Sequence, residues 1–215
     1  MKSDMLIIPT RSHLPEQRVI FHHLTWDRYQ QILQALGEHR SSRLIYDRGT
    51  LEITMPLEDH EFLVRMIDLF VRILATAYLG QIKTMGSTTL NYPHIERGAE
   101  PDNAYYLQNQ PKVKGRTVDF SQDPPPDLVV EVDITHSTIN KLALYAAIGI
   151  PELWRFNGEE LRIYQLTAQG YQELEISPSF PGVPKDRLYQ FLSEARENEI
   201  QAEQNLRNWI QEQKL

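Results

Sequence analysis

The sequence predicts a single mixed α/β domain, on three observations. A near-continuous run of Leu, Val and Ile over 128–134 has the composition of a central strand covered on both faces. Apolar residues over 59–79 (Phe62, Leu63, Met66, Ile67, Phe70, Ile73, Leu74, Ala77) recur at helical spacing. Two strand–turn–strand patterns carry glycine in the turn and read as hairpins. At 215 residues the chain is long enough for one well-packed domain and short for two.

In chain order, residues 1–24 read as a leader with Pro9, Pro15 and little periodicity. The domain proper is expected over 25–186. Thr25 caps a helix whose apolar positions are Tyr29, Ile32, Leu33 and Leu36, and Gly37 stops it. Residues 43–46 and 50–55 form the first hairpin, closed by Pro56. The long helix over 59–79 ends at Gly80. Strands are expected over 84–92 and 104–107, with a loop between them. Residues 108–126 are a polar excursion containing Lys112, Lys114, Arg116 and a triple proline. After the central strand a helix over 138–148 is expected, capped by Ser137 and terminated by Gly149 and Pro151. The second hairpin spans 152–166 around Asn157-Gly158, and one more strand is expected over 171–176. Residues 187–215 read as a polar C-terminal helix, packed on the domain or at a dimer interface.

Composition bounds the function. There is no cysteine, which removes disulfide frameworks and thiolate zinc sites and fits a reducing, cytoplasmic setting. The apolar stretch 62–79 is interrupted by Arg65, Asp68 and Arg72, so no membrane span is expected. A net charge of −7 disfavours a broad basic coat for nucleic acid, but not basic residues gathered around one groove.

The chemistry concentrates between 126 and 154. Asp127, Glu131 and Asp133 alternate along an apolar strand, and Lys141 follows on the next helix. Carboxylates are costly to bury uncompensated, and a divalent cation is a common compensation. Glu131, inside Val-Val-Glu-Val, is the hardest to explain structurally. Asp127 is either a ligand or a strand-entry turn residue after Pro126. Asp133 is either an outer partner of the site or a solvated strand end. Asp102, after Pro101, is either a site acid or a turn residue, and Lys141 either functional or a solvated helix residue. His60 and Glu61 open the long helix, where acids are favoured by the helix dipole; His60 is also a possible ligand. Tyr145, one turn from Lys141, shares its helix face. His136 and Ser137 make a poor nucleophile pair, since adjacent side chains rarely face each other. Trp26, Trp154 and Trp209 read as packing residues.

Taken in order, several segments resemble a known group: Tyr46-Asp-Arg-Gly-Thr-Leu-Glu52 before Met55-Pro56, His60-Glu61, Pro101-Asp102, and Pro126-Asp-Leu-Val-Val-Glu-Val132. Ser137, Lys141, Tyr145 and Gly149-Ile-Pro-Glu-Leu-Trp154 continue the pattern. The chain resembles a large bacterial family grouped with restriction endonucleases in the PD-(D/E)xK nuclease superfamily, many of whose members are named only by fold and site. The resemblance covers roughly 25–165. It implies a central mixed sheet flanked by helices and one or two Mg2+ or Mn2+ ions. It makes Asp102 and Glu131 the two motif acids, Glu61 an auxiliary acid, and DNA the substrate. Asp133 would be a further metal ligand. The superfamily pattern places a lysine two residues after the second acid, where this chain has Asp133. Lys141 is the relocated candidate.

The function implied is a magnesium-dependent DNA endonuclease, with a homodimer suited to cutting both strands. The alternatives are a catalytically inactive nuclease-fold domain that binds metal or nucleic acid or serves as an oligomeric module, and a metal-dependent hydrolase acting on something else. Convergence of Lys112, Lys114, Arg116 and Lys141 beside the acids would discriminate among them.

Overall fold

The computed structural model describes residues 17–37, 40–86, 88–135 and 137–213. His136 and residues 1–16 of the expected leader lie outside them. Residues 17–21 do not continue a leader: Gln17–Phe21 is a strand, β1, and is followed by helix α1 (Trp26–Leu36). Thr25 caps α1 by accepting the Arg28 N–H at 3.3 Å, and Gly37 closes it at φ 71°. β2 (Arg43–Asp47) and β3 (Thr50–Met55) form the expected hairpin. Its two turn residues, Arg48 and Gly49, both have positive φ (42° and 99°), the geometry that matches strand twist in a two-residue turn.

Helix α2 (Glu58–Tyr78) follows, then β4 (Lys83–Thr84), β5 (Leu90–Tyr92), β6 (Arg97–Ala99) and β7 (Asn103–Tyr106). The single strand expected over 84–92 is therefore two short ones, and they belong to different sheets. The polar excursion holds only a one-turn helix, α3 (Gln110–Val113), before β8 (Leu128–Val132). Helix α4 (Lys141–Ile148) starts three residues later than expected, capped by the Asn140 side chain on the Ala143 N–H rather than by Ser137. β9 (Glu152–Phe156), β10 (Leu161–Thr167) and β11 (Gly170–Leu174) complete the strands. The C-terminal helix is two helices, α5 (Lys185–Glu197) and α6 (Glu199–Gln213), broken at Asn198.

The central sheet has the order β11-β10-β9-β8-β7-β4 and is mixed: β8 and β9 are parallel, joined through α4, and the other neighbours are antiparallel. A second sheet, wholly antiparallel with order β1-β3-β2-β6-β5, accompanies it. Of that second sheet the sequence announced only the β2–β3 hairpin, and other pairs join residues as distant as 45 and 99.

Every residue of β8 is buried, and its period-2 alternation divides it between two layers. Leu128, Val130 and Val132 join α2 (Ile67, Phe70, Leu74) and α5 (Leu188, Phe191). Val129 faces the other way, with Leu144, Tyr145 and Ile148 of α4. Glu131 shares the face of Val129, so the strand's alternation alone delivers its carboxylate to the α4 side. Against the second sheet, α1 places Tyr29 flat on Tyr46, ring centroids 4.7 Å apart.

Candidate active site

Four structural elements converge on Glu131. Its side chain leaves the middle of β8 and is 2% exposed. The antiparallel register of β7 and β8 pairs Asn103 with Val130, which brings Asp102 alongside the Glu131–Val132 step. Asp102 Oδ2 accepts the Val132 N–H at 2.8 Å, and His60 Nε2 of α2 lies 3.3 Å from the same oxygen. From the other flank, the parallel register sets Arg155 of β9 opposite Glu131. Lys141, the first residue of α4, completes the group.

Lys141 joins two of the acids. Its Nζ donates to Glu131 Oε2 at 2.6 Å and to Asp133 Oδ1 at 2.5 Å. The Tyr145 hydroxyl, one helical turn on, donates to Glu131 Oε1. Arg155 Nε donates to Asp133 Oδ2 at 2.8 Å. Asp133, two residues after Glu131 and just past the end of β8, thus holds Lys141 in place.

The electrostatics follow from burial and this pairing. Burial pushes the Glu131 carboxyl up to about 7; Lys141 opposes the shift, while Asp102 and Asp133 add to it. Burial acts the same way on Asp133, but Lys141 and Arg155 outweigh it and hold that carboxyl below its ordinary value. For Lys141, burial favours the neutral amine, yet Glu131, Asp133 and Asp102 together raise it above the usual lysine range, so the ammonium persists. Tyr145 is held well above the ordinary phenol value by burial and by Glu131, and remains a neutral donor.

Glu61 stands at the rim, its carboxylate 3.6 Å from the Arg43 guanidinium and 3.8 Å from His60 Nδ1. Asp102, Glu131, Asp133, Glu61, Lys141, Tyr145 and His60 are therefore gathered in one place. Asp127 is not. It lies roughly 13 Å from Glu131 along β8, and its carboxylate accepts from Leu107 N (2.7 Å), Asn109 N (2.9 Å) and Asn109 Nδ2 (2.5 Å). Of its two sequence readings, turn anchor and ligand, the geometry matches the anchor. Lys112, Lys114 and Arg116 also fail to converge on the acids: they follow the end of β7, at the opposite edge from Asp102, and Arg116 is tied to Asp123 at 2.6 Å.

The donor set suits a hard divalent cation in number rather than in density. Among the described residues, no group of three or more His, Asp or Glu is arranged to hold a metal, Asp102, Glu131 and Asp133 included. Magnesium commonly takes only one or two carboxylates and completes its shell with water. Asp102 and Glu131 can supply that pair. Among the described residues, Lys141, Arg155, Arg43 and His60 are shared among four carboxylates (Asp102, Glu131, Asp133, Glu61), each within 4.0 Å of at least one of them.

Three participants were missed by sequence reasoning. Arg155 is the one charged residue in Leu153-Trp154-Arg155-Phe156, and the βαβ pattern could have placed it beside Glu131. Arg43 opens β2 with no local signal. Glu52, buried in Leu51-Glu52-Ile53, carried the same signal as Glu131. It anchors the loop between Asp133 and Lys141 by accepting from Ser137 Oγ (2.9 Å), Thr138 N (2.9 Å) and Thr138 Oγ1 (2.8 Å).

Among the described residues no helix is long and apolar enough to cross a membrane. A search of curated proteins finds no match to the chain. A protein-family model does match, over residues 26–192, a span that begins at α1, includes the whole acid cluster and runs into α5. The chain belongs to the Uma2 family, described as "Putative restriction endonuclease".

Proposed function

We propose that the protein is a magnesium-dependent DNA endonuclease, with Asp102, Glu131 and Lys141 as its catalytic core and Glu61 as an auxiliary acid. The observation that carries this reading is the meeting of Lys141 with Glu131 at 2.6 Å, beside Asp102 on the adjoining strand. Asp102 and Glu131 would hold the ion. When bound, it lowers the pKa of a coordinated water and offsets charge that develops on the phosphate.

The chain's own groups account for the rest. Tyr145 fixes the orientation of Glu131 through one oxygen, and Lys141 presents a point charge at the other. Asp133 and Arg155 hold that ammonium at its post, so it can orient the attacking water or stabilise charge in the transition state. His60 and the Val132 N–H position Asp102. Hydrolysis adds the water oxygen to phosphorus and breaks the opposite P–O bond, and the proton lost by the water returns to the leaving oxygen. A homodimer in the cytoplasm suits the cutting of both strands of a duplex.

A second reading, an inactive nuclease-fold domain, is favoured by one observation: the three basic residues of the 108–126 loop stand away from the acids. Supercoiled plasmid cleavage separates the two. The nuclease reading expects nicking that needs Mg2+ or Mn2+ and disappears with Glu131→Ala. Folded, metal-binding protein that leaves the plasmid intact would favour the inactive domain.

A further inference from the structure

Arg43 and Arg155 stand on opposite flanks of Glu131. Asp102 leads into β7 on one side of β8, and β9 with Arg155 lies on the other. Arg43 reaches the Asp102 flank from β2, in the second sheet. Its Nε lies 3.9 Å from Asp102 Oδ1 and its Nη2 3.6 Å from Glu61 Oε1, both beyond hydrogen-bond length. That Nε is buried and has no acceptor among the described residues. Arg155 spends only its Nε on Asp133; its terminal nitrogens make no hydrogen bond among the described residues, and its side chain is 33% exposed. Arg97 and Arg116 differ: each closes a short bond to an acid outside the cluster.

A purely structural ion pair has every reason to close its hydrogen bonds, and the Arg43 contacts stay open. Guanidinium donors left open beside an acidic centre fit a phosphate that arrives with the substrate, since the fork of arginine matches two oxygens of a phosphate. Strands are about 4.8 Å apart, so the β7 and β9 flanks are separated by roughly 10 Å. One phosphate is too small to span that gap.

We propose that Arg43 and Arg155 form two phosphate-binding subsites on either side of the Asp102–Glu131 centre, each gripping a backbone phosphate that neighbours the bond to be cut. The proposal rests on the nuclease reading and adds to it which residues hold the strand. It also explains how an acidic protein could engage DNA without a broad basic face.

The test is fluorescence anisotropy with a labelled DNA duplex, calcium replacing magnesium, over a series of salt concentrations. Wild type is compared with Arg43→Gln, Arg155→Gln and the double variant. Each lost phosphate contact should reduce the slope of log K against log salt by about 0.9, and the double variant by about 1.8. Arg43→Lys and Arg155→Lys preserve the charge, should keep the wild-type slope while binding more weakly, and cover the case in which a glutamine variant fails to fold. Unchanged slopes in folded glutamine variants would overturn the subsites and leave the nuclease reading to the plasmid assay. An equal loss from Arg116→Gln would also overturn them, because the slope would then report only total charge. Failure of the wild type to bind DNA at any salt concentration would overturn both the subsites and the nuclease reading.

Discussion

Two Pro-Asp pairs open the two strands at the centre of the molecule, and they end in different surroundings. Asp102 and Asp127 are equally buried, at 6% and 5% exposed, and each stands next to a strand of the same antiparallel pair. At Asp127 the backbone of the 107–109 turn, helped by Asn109, saturates the carboxylate with three donors. At Asp102 a single backbone N–H is joined by His60, and the nearest guanidinium stays at 3.9 Å. One aspartate is spent on the fold, whereas the other keeps coordinating capacity. The identity of a buried acid matters less than how many donors its surroundings have already committed to it.

That contrast can be broken in graded steps. The largest effect is expected within the acid cluster around Asp102 and Glu131. Asp102→Ala or Glu131→Ala should lower cleavage by at least about a hundredfold, the scale seen when one preorganised electrostatic contact is removed; plasmid nicking per folded molecule measures it. Lys141→Met comes next, because it leaves Glu131 without its cation. It should cost about 3–5 kcal/mol in urea denaturation of the metal-free protein and also abolish cleavage.

The same acid sets a pH dependence. In the metal-free fold the Glu131 carboxyl sits at about 7 against an ordinary 4.5, so the folded chain holds this proton more tightly than the unfolded one. Its contribution to stability is therefore fullest below pH 4.5 and declines as pH rises to 7. Without Lys141 the decline should continue above pH 7, which denaturation midpoints across that range would reveal.

At the committed end the effects are smaller and structural. Asp127→Ala strands the buried Leu107 N–H and should cost about 1–3 kcal/mol, with cleavage per folded molecule unchanged. Smallest is the exposed Arg116–Asp123 pair. Arg116 holds the Asp123 carboxyl down at about 2 against an ordinary 3.8. Carbon NMR titration should find that midpoint, and Arg116→Gln should return it toward 3.8.

The parts of the architecture that were legible in the sequence are those set by local periodicity. The long α2 pattern, both hairpins and β8 appear as expected because alternation and helical spacing are local properties. Glu131 stood out for the same reason, as an acid that breaks an apolar run. What was hidden depends on partners distant in sequence. Ser137 and Asn140 are both competent caps, and Asn140 wins because Glu52, 85 residues upstream, engages Ser137. β1 was unreadable because a strand alternating between exposed and half-buried residues takes its order from β3, which begins 29 residues after it ends. The separate fates of Asp102 and Asp127 were invisible for the same reason: the dipeptide is identical, and only the turn at 107–109 distinguishes them.

The most direct test compares two near-isosteric changes on one strand face, Glu131→Gln and Asp127→Asn. Metal-dependent plasmid cleavage and urea denaturation are measured on both. The expected outcome is that Glu131→Gln folds and has lost cleavage, whereas Asp127→Asn is less stable and cleaves normally per folded molecule. Cleavage that survives Glu131→Gln, or that disappears from folded Asp127→Asn, would contradict it.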